Sequence, residues 1–282
     1  PASVQGKTVA AQDWKEEKAS GVLQDFSWKI CSCLMPAGVH MLFFQKHPEL
    51  VSRLKYILIT HSHLDHFLPL VVATLAEQKL KASSEPLELL GNHTVISAMR
   101  FYLEHQLVEG RVVSKENKPR IKLTQLEPFK LTKLAPFEIL PLPANHAIDY
   151  SWESIYPEEV KLPFGGNLLL KREDAFNYLI AFNQQKVFYG LDSAWPLPQT
   201  MAVLKEQQLD LAVLDATFGF EDPLPGHMNF EIVAQLVDEL CLEDKAIASH
   251  LSLHWVPPHS QSESWLAKRK IKLAYDGMSL SI

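Results

Sequence analysis

The sequence predicts an α/β fold, and three observations support this prediction. Short apolar segments typical of buried strands alternate with segments of helical periodicity, and polar clusters repeatedly follow the strands at their carboxyl ends. Of the 282 residues, 47% are hydrophobic and 21% are charged, which is enough apolar material for a sizeable core. We expect a single domain over residues 1–282, with residues 1–25 polar and poorly defined.

In the N-terminal half, strands and helices alternate along the chain. Strands are expected at "FSWKICSCL" (26–34), "VHMLFF" (39–44), "RLKYILIT" (53–60) and "LELLG" (87–91), the first two around a turn at 36–38. Helical spacing is found in "FLPLVVATLAEQKLK" (67–81) and "TVISAMRFYLEHQL" (94–107).

The C-terminal half repeats this pattern with more strands. Strands are expected at "FEILPLPANH" (137–146), "NLLLK" (167–171), "NYLIAF" (177–182), "KVFYGLDS" (186–193), "LDLAVLDATF" (209–218), "KAIASH" (245–250) and within 271–282. "NQQ" (183–185) predicts a hairpin turn between two of them. "NFEIVAQLVDELC" (229–241) predicts a helix with Asn229 as its N-cap.

The charge and the cysteine content indicate which partners and which cellular compartment to expect. The formal net charge is −6, from 27 basic and 33 acidic residues, so the surface as a whole does not attract nucleic acid. Three cysteines, an odd and low number, favour a reducing compartment, and we expect a cytoplasmic protein. No apolar run is long enough to span a membrane. The chain begins at Pro1 rather than Met, and we expect further residues upstream.

The segment "YILITHSHLDHFLP" (56–69) carries the strongest chemical signal. His61, His63, Asp65 and His66 lie within six positions, directly after a predicted buried strand. Imidazole and carboxylate groups are the natural ligands of Zn²⁺, Mn²⁺ and Fe. Four such groups exceed the three protein ligands usual for one catalytic zinc, so two adjacent ions are the simpler interpretation. The alternative is a solvated loop that is rich in histidine by chance.

The segment "THSHLDH" resembles the metal-binding motif of the metallo-β-lactamase superfamily. The resemblance implies a four-layer αββα sandwich with a two-metal site along one edge of its sheets. It also implies three more ligands after later strands, and His146, Asp192 and His250 stand in the required order. By resemblance, the first ion is held by His61, His63 and His146, and the second by Asp65, His66 and His250. Asp192 lies between the two ions, which would be Zn or Mn.

Two further segments are similar to those of the phosphodiesterase branches of this superfamily, including PhnP-like enzymes and tRNase Z. "LDATF" (214–218) ends a strand, and "PGHMNF" (225–230) precedes a helix. The resemblance implies that His227 is a general acid and that Asp215 orients it. The alternatives are a turn cap for Asp215 and an exposed loop position for His227.

The N-terminus departs from the PhnP-like pattern. A Gly-rich opening and a cysteine cluster for a structural zinc are absent, and only Cys31 and Cys33 lie close together, with Cys241 distant. Two cysteines do not complete a zinc site, so no structural zinc is predicted.

The leading prediction is a hydrolase, a dinuclear metal phosphodiesterase that acts on a small, cyclic or linear, phosphodiester. The alternatives are a tRNase Z-type endonuclease and a non-catalytic, PqqB-like protein that binds a metabolite. The expected partner is the small substrate, with nucleic acid disfavoured, no membrane, and a homodimer as the candidate assembly. The sequence does not assign the substrate-binding residues, although Trp152 and Trp195 could cover a sugar or base.

Overall fold

The structure is a computed structural model that describes residues 30–32, 48–63, 65–83, 85–105, 107–108, 111–112, 121–146, 159–161, 167–169, 175–252, 258–275 and 278. Its strands are β1 (Ile30–Ser32), β2 (Tyr56–Leu58), β3 (Leu87–Gly91), β4 (Leu107–Val108), β5 (Arg111–Val112), β6 (Ile121–Gln125), β7 (Thr132–Leu134), β8 (Phe137–Pro143), β9 (Glu159–Lys161), β10 (Asn167–Leu169), β11 (Phe176–Phe182), β12 (Gln185–Gly190), β13 (Leu211–Asp215), β14 (Ala246–Ser249) and β15 (Ile271–Leu273). Its helices are α1 (Pro48–Val51), α2 (Pro69–Ala82), α3 (His93–His105), α4 (Pro198–Lys205), α5 (Phe230–Leu240) and α6 (His259–Ala267).

Two sheets organise these elements. One sheet has four parallel strands in the order β1-β2-β3-β6. The other has seven strands in the order β15-β14-β13-β12-β11-β8-β7, of which β12 to β15 are parallel and the remaining pairs are antiparallel. The short strands β4 with β5, and β9 with β10, form two separate ribbons.

The layering follows from the alternation of side chains along each strand, since successive residues point to opposite faces of a sheet. In β2, Ile57 packs with α2 and α3, whereas Leu58 faces the other sheet. In β12, Phe188 packs with α4 to α6, whereas Tyr189 faces the first sheet. Each sheet therefore carries helices on its outer face and packs on the other sheet with its inner face, which is the predicted αββα sandwich.

Hydrogen bonds also join the two sheets beside the motif found in the sequence. The Tyr178 hydroxyl, fully buried in β11, donates to the carbonyl oxygen of Ile59 at 2.6 Å. The backbone N–H of Phe176 donates to the carbonyl oxygen of Thr60 at 3.0 Å. These two bonds hold the end of β2, and with it the segment that begins at His61, against the seven-stranded sheet.

The strand directions bring four strand ends to one edge. Strands β12, β13 and β14 are parallel, so their carboxyl ends meet there. Strand β8 is antiparallel to β11, which is itself antiparallel to β12, so β8 ends at the same edge. The segments that follow β8, β12, β13 and β14 are the ones that carry the predicted site residues.

Most of the predicted elements are confirmed within the described part of the chain. The strand at 87–91 matches β3, and Asn229 caps α5 by accepting a hydrogen bond from the N–H of Ile232 at 3.0 Å. The hairpin turn is shorter than expected, because only Asn183 and Gln184 connect β11 to β12. Both have positive φ, as a tight two-residue hairpin requires. Helices α1, α4 and α6 were not predicted.

Other predictions fall outside the described residues or remain untested. The expected strand at 39–44, the turn at 36–38 and most of 26–34 lie outside the part of the chain that the structure describes. Cys33 also lies outside it, and Cys241 is an exposed free thiol. Among the described residues, no helix has the length and apolar character needed to cross a membrane.

Candidate metal centre

All nine predicted site residues lie together at the shared edge of the two sheets. His61 follows β2, and the turn after it is closed by the N–H of His66, which donates to the carbonyl oxygen of His63 at 2.9 Å. The other residues stand at or just after the ends of strands of the seven-stranded sheet: His146 after β8, Asp192 after β12, Asp215 in β13 and His250 after β14. His227 lies in the loop before α5.

One group of donors, the histidine cluster, consists of His61, His63 and His146. Nε2 of His61 lies 2.9 Å from Nδ1 of His63, and Nε2 of His146 lies 3.3 Å from the same Nδ1. Oδ2 of Asp192 closes the group at 3.6 Å from Nε2 of His61 and 4.0 Å from Nε2 of His146.

The second group, the carboxylate cluster, consists of Asp65, His66 and His250. Nε2 of His66 lies 3.3 Å from Oδ2 of Asp65 and 3.2 Å from Nε2 of His250. Asp192 belongs to this group as well, with Oδ2 at 3.0 Å from Nε2 of His66 and Oδ1 at 2.9 Å from Nε2 of His250. The buried Asp192 carboxylate thus faces both clusters.

The surroundings shift the pKa values in opposite directions in the two clusters. Burial lowers the pKa of His61 well below its usual range, and it also lowers the pKa values of His63 and His146. Burial opposes protonation of His66 too, but its hydrogen bonds to Asp192 and Asp65 outweigh this effect and raise the pKa of His66 to about 9.

The partners of His66 respond in the complementary way. A hydrogen bond from His66 lowers the pKa of Asp65 to about 2. Burial alone would raise the pKa of Asp192, but the close contacts with His250 and His66 hold it well below its ordinary value. The pKa of His250 is raised by Asp192 in spite of burial. The environment of the carboxylate cluster therefore favours positive charge next to Asp65 and Asp192.

The backbone is in an uncommon conformation at two of these residues. Asp192 has φ of 48° and His250 has φ of 62°, both in the left-handed region that non-glycine residues rarely adopt. Each follows a parallel strand directly, so the chain turns sharply and directs the side chain across the sheet edge. Such a conformation costs roughly 1–3 kcal/mol per residue and persists where the surrounding structure imposes it, most often at functional sites.

Three histidines are held by hydrogen bonds at the ring nitrogen that faces away from the clusters. Nδ1 of His61 lies 3.0 Å from the Thr60 hydroxyl, and Nδ1 of His146 lies 3.1 Å from the carbonyl oxygen of Gly226. Nδ1 of His250 lies 2.8 Å from the Thr217 hydroxyl. A proton on each Nδ1 leaves the lone pair of Nε2 directed into the site, which is the tautomer that a metal ligand needs.

Beside both clusters lies a third pair, His227 and Asp215. Nδ1 of His227 lies 2.9 Å from Oδ2 of Asp215, a fully buried carboxylate whose Oδ1 accepts the N–H groups of Thr217 and Met228 at 3.1 and 2.9 Å. The ring of His227 stands 5.0 Å from that of His146 and 5.8 Å from that of His250, the latter stacked at 5°. His227 therefore borders the histidine cluster on one side and the carboxylate cluster on the other.

The donor set fits divalent transition-metal ions. Two ligands on a tetrahedral ion with bonds of about 2.1 Å lie about 3.4 Å apart. The separations within the two clusters, 2.9 to 4.0 Å, scatter around that value. Each cluster together with Asp192 offers four donor atoms within 4.8 Å of one another. A divalent cation held at this position would offset the negative charge of Asp65 and Asp192.

Residues 32–251 match the family model described as a beta-lactamase superfamily domain. The chain belongs to the metallo-β-lactamase superfamily. Proteins of this fold typically bind divalent metal ions, and in this chain the histidine cluster and the carboxylate cluster lie together at the sheet edge. No curated protein matches the chain by sequence.

Solved structures of the superfamily share the fold at low identity. A diphosphatase of the PhnP family aligns with a TM-score of 0.62 and 18% identity, covering 90% of this chain and 79% of its own. The short form of human tRNase Z aligns at 0.54 and 17%, covering 82% and 80%. Zn²⁺-bound PqqB from Methylobacterium extorquens aligns at 0.53 and 14%, covering 81% and 73%.

Sequence reasoning missed the groups that hold the site residues in place. All three of these groups stand within quoted segments, Thr60 in "THSHLDH", Thr217 in "LDATF" and Gly226 in "PGHMNF", but no role was assigned to them. Thr60 is adjacent to its partner His61, whereas the other two are distant in the chain from the histidines that they contact. Gly226 has φ of 92°, a conformation natural for glycine, and its position next to His227 in "PGH" is a local hint. Of the two tryptophans considered for substrate contact, Trp195 is partly exposed and Trp152 lies outside the described residues.

Proposed function

We propose that the protein is a dinuclear metal phosphodiesterase that hydrolyses a small phosphodiester, cyclic or linear, in a reducing compartment such as the cytoplasm. The observation that carries this proposal is the His227–Asp215 pair, at 2.9 Å, placed between the histidine cluster and the carboxylate cluster. The superfamily membership supports a metal-dependent hydrolase, and this pair supports the narrower reaction class.

We propose that His61, His63 and His146 hold one ion, that Asp65, His66 and His250 hold the other, and that Asp192 contacts both. Divalent ions such as Zn²⁺ or Mn²⁺ supply Lewis acidity, which lowers the pKa of water and offsets negative charge on phosphoryl oxygens. The chain itself contributes the orientation of the imidazoles, through the partners of their Nδ1 atoms.

His227 is suited to protonate the leaving oxygen. As a water-derived oxygen forms its bond to phosphorus, the bond from phosphorus to the ester oxygen breaks, and that oxygen needs a proton. Nδ1 of His227 is engaged with Asp215, so Nε2 is the nitrogen from which the proton leaves. The buried Asp215 carboxylate fixes the orientation of the ring, as the orienting carboxylate does in other acid–base pairs.

The same pair argues against thioester hydrolysis as the reaction of this protein. An alkoxide that departs from a phosphodiester is strongly basic, so a positioned acid speeds its departure by roughly 10²–10⁴-fold. A thiolate leaving group is far less basic and gains little from such an acid. A buried carboxylate committed to one imidazole therefore favours an alkoxide over a thiolate leaving group.

Two other functions remain as alternatives. A tRNase Z-type endonuclease would use the same pair, but tRNA binding requires many basic groups, and the chain has 27 basic against 33 acidic residues. A PqqB-like binding protein would have no need of the His227–Asp215 pair or of seven converging metal donors.

A substrate panel tests the proposal directly. Metal-reconstituted protein is assayed against bis-p-nitrophenyl phosphate, nucleoside cyclic phosphates, ribose cyclic phosphates and precursor tRNA. We expect turnover of small diesters, which Asp192→Ala abolishes and Asp238→Ala, a change of an exposed carboxylate on α5, leaves intact. Cleavage of tRNA with no turnover of small diesters would favour the endonuclease, and two bound ions with no hydrolysis at all would favour the binding protein.

A further inference from the structure

The hydroxyl of Thr217, just beyond the end of β13, has three polar neighbours that belong to both halves of the proposed site. Its Oγ1 lies 2.8 Å from Nδ1 of His250, 3.1 Å from Oδ2 of Asp215 and 3.2 Å from Nδ1 of His227. It is thus in hydrogen-bond contact with a proposed metal ligand, the proposed general acid and the carboxylate that orients that acid.

The supply of hydrogens determines the directions of these bonds. The Asp215 carboxylate only accepts, and the Thr217 hydroxyl has one hydrogen to donate. If Nε2 of His250 presents its lone pair to an ion, its proton sits on Nδ1 and is donated to Thr217. Thr217 then donates its own hydrogen to Asp215.

The direction of the hydrogen bond from His227 follows from the same argument. Its Nδ1–H donates to Oδ2 of Asp215 at 2.9 Å, which is shorter than its 3.2 Å contact with the Thr217 hydroxyl. Oδ1 of Asp215 is already occupied by two backbone N–H groups. Every donor and acceptor in the group is satisfied by this single arrangement, in which Asp215 accepts from His227 directly and from His250 by way of Thr217.

The hydroxyl is needed because the direct route is too long. Oδ2 of Asp215 lies 3.7 Å from Nδ1 of His250, beyond hydrogen-bond distance. We propose that Thr217 is a positioning residue that couples the metal ligand His250 to the general acid His227 through the Asp215 carboxylate. The part that concerns His227 rests on the proposed function, whereas the part that concerns His250 rests on metal binding alone.

The backbone of Thr217 is held independently of its hydroxyl. Its N–H donates to Oδ1 of Asp215 at 3.1 Å, and its carbonyl oxygen accepts the N–H of Ser252 at 3.1 Å. Thr217→Val, which has the same shape but no hydroxyl, therefore keeps these two bonds and removes only the coupling. Thr217→Ser keeps the hydroxyl and serves as the rescue variant.

A matched control exists elsewhere in the fold. Thr124, in β6, donates its hydroxyl to Oε1 of the buried Glu88 at 2.6 Å, in the other sheet. Thr124→Val therefore removes a hydroxyl bonded to a buried carboxylate without touching the site. If loss of a buried hydroxyl weakens metal binding only by destabilising the fold, Thr124→Val should also bind metal more weakly.

The primary measurement is a titration of metal-free protein with Zn²⁺ against a competing chelator. We expect Thr217→Val to bind one ion as the wild type does and to bind the other about 10–100-fold more weakly, the usual effect of removing the partner of a metal-bound histidine. Thr217→Ser and Thr124→Val should bind both ions with wild-type affinity. In the fully metal-loaded proteins, kcat of Thr217→Val should fall more for an alkyl leaving group than for p-nitrophenolate.

Several outcomes would overturn the coupling. One is a folded Thr217→Val protein that binds both ions with wild-type affinity, and another is Thr217→Ser binding as weakly as Thr217→Val. If Thr217→Val does not fold, Thr217→Ala replaces it, and failure of both to fold would make the role of Thr217 purely structural. A wild type that binds two ions but hydrolyses no phosphodiester would refute the proposed function alone, because the titration still decides the role of Thr217 at His250.

Discussion

The histidine cluster and the carboxylate cluster lie side by side and share Asp192, yet the same residue type behaves oppositely in them. In the histidine cluster, burial dominates and the pKa of His61 falls well below its usual range. In the carboxylate cluster, burial also opposes protonation of His66, but its pKa is raised to about 9, because Asp192 and Asp65 contact its Nε2 at 3.0 and 3.3 Å. Asp192 lies farther from Nε2 of His61, at 3.6 Å, and Asp65 belongs only to the carboxylate cluster.

This difference makes the two proposed metal positions unequal. With neutral imidazoles, the histidine cluster and its share of Asp192 carry one carboxylate charge, and the carboxylate cluster and Asp192 carry two. Nitrogen-rich sites suit zinc, whereas added carboxylate oxygens suit manganese as well. We therefore expect a substitution in one cluster to change metal affinity at one position, and a substitution of the shared Asp192 to change it at both.

The largest effect is expected from Asp192→Ala, which removes the carboxylate common to both clusters. Occupancy should fall at both positions, and hydrolysis should fall to background, since neither set of imidazoles then has a buried counter-charge. Elemental analysis of the reconstituted variant and of wild type measures this. Two ions retained at wild-type affinity would show that Asp192 is not shared.

Smaller effects are expected when a residue of one cluster alone is changed. His63→Ala and Asp65→Ala should each weaken the binding of a single ion and leave the other at wild-type affinity. Because the two residues are assigned to different ions, the double variant should bind both ions more weakly than the wild type does.

A chelator titration of the two single variants and the double variant checks this assignment. If His63 and Asp65 served the same ion, the double variant would still bind one ion with full affinity. That result would contradict the assignment of His63 and Asp65 to different ions.

His227→Ala is expected to lose activity without losing metal. Both ions should remain, because His227 belongs to neither proposed ligand set, while kcat for an alkyl phosphodiester should drop by roughly 10²–10⁴-fold. The loss should be smaller for bis-p-nitrophenyl phosphate, whose leaving group needs little protonation. Steady-state kinetics on both substrates decide the point, and equal losses would assign His227 to binding or structure instead.

The smallest effect is expected from salt. A small diester places one phosphoryl group at the two clusters, so raising the salt concentration from about 50 to 200 mM should change kcat/KM by about threefold or less, whereas a ligand held by many phosphate contacts would lose about 10³–10⁵-fold. The measurement is kcat/KM for a nucleoside cyclic phosphate and for precursor tRNA, each at both salt concentrations. Efficient tRNA cleavage with a steep salt dependence would support the endonuclease.

The positions of the candidate ligands could be predicted because their signal is local. His61, His63, Asp65 and His66 are neighbours in the chain, and His146, Asp192 and His250 each follow an apolar run that is confirmed as a strand. In a sheet with parallel strands, residues at carboxyl ends meet at one edge whatever the loops do. The resemblance to the metallo-β-lactamase motif selected this set of residues, and their positions after strands agree with a site at one sheet edge.

Helices α4 and α6 show where local signals fail. Neither begins with a side-chain cap, and α6 buries only Ser262 and Leu266 of its nine residues, so its sequence lacks an apolar face. Leu266 packs into the core beneath the seven-stranded sheet, and this contact stabilises a segment whose own periodicity is weak.

By itself, the sequence determined the fold class, the strand ends and the set of nine side chains that could meet there, because each depends on a few neighbouring residues. Only the tertiary structure decided how those side chains are charged and held. The opposite pKa shifts of His61 and His66 depend on Asp192, and the bridge from Asp215 through Thr217 ends at His250, so both involve residues that are far apart in the chain. Such effects depend on distances of about 3 to 4 Å across the sheet edge, which no spacing along the sequence encodes.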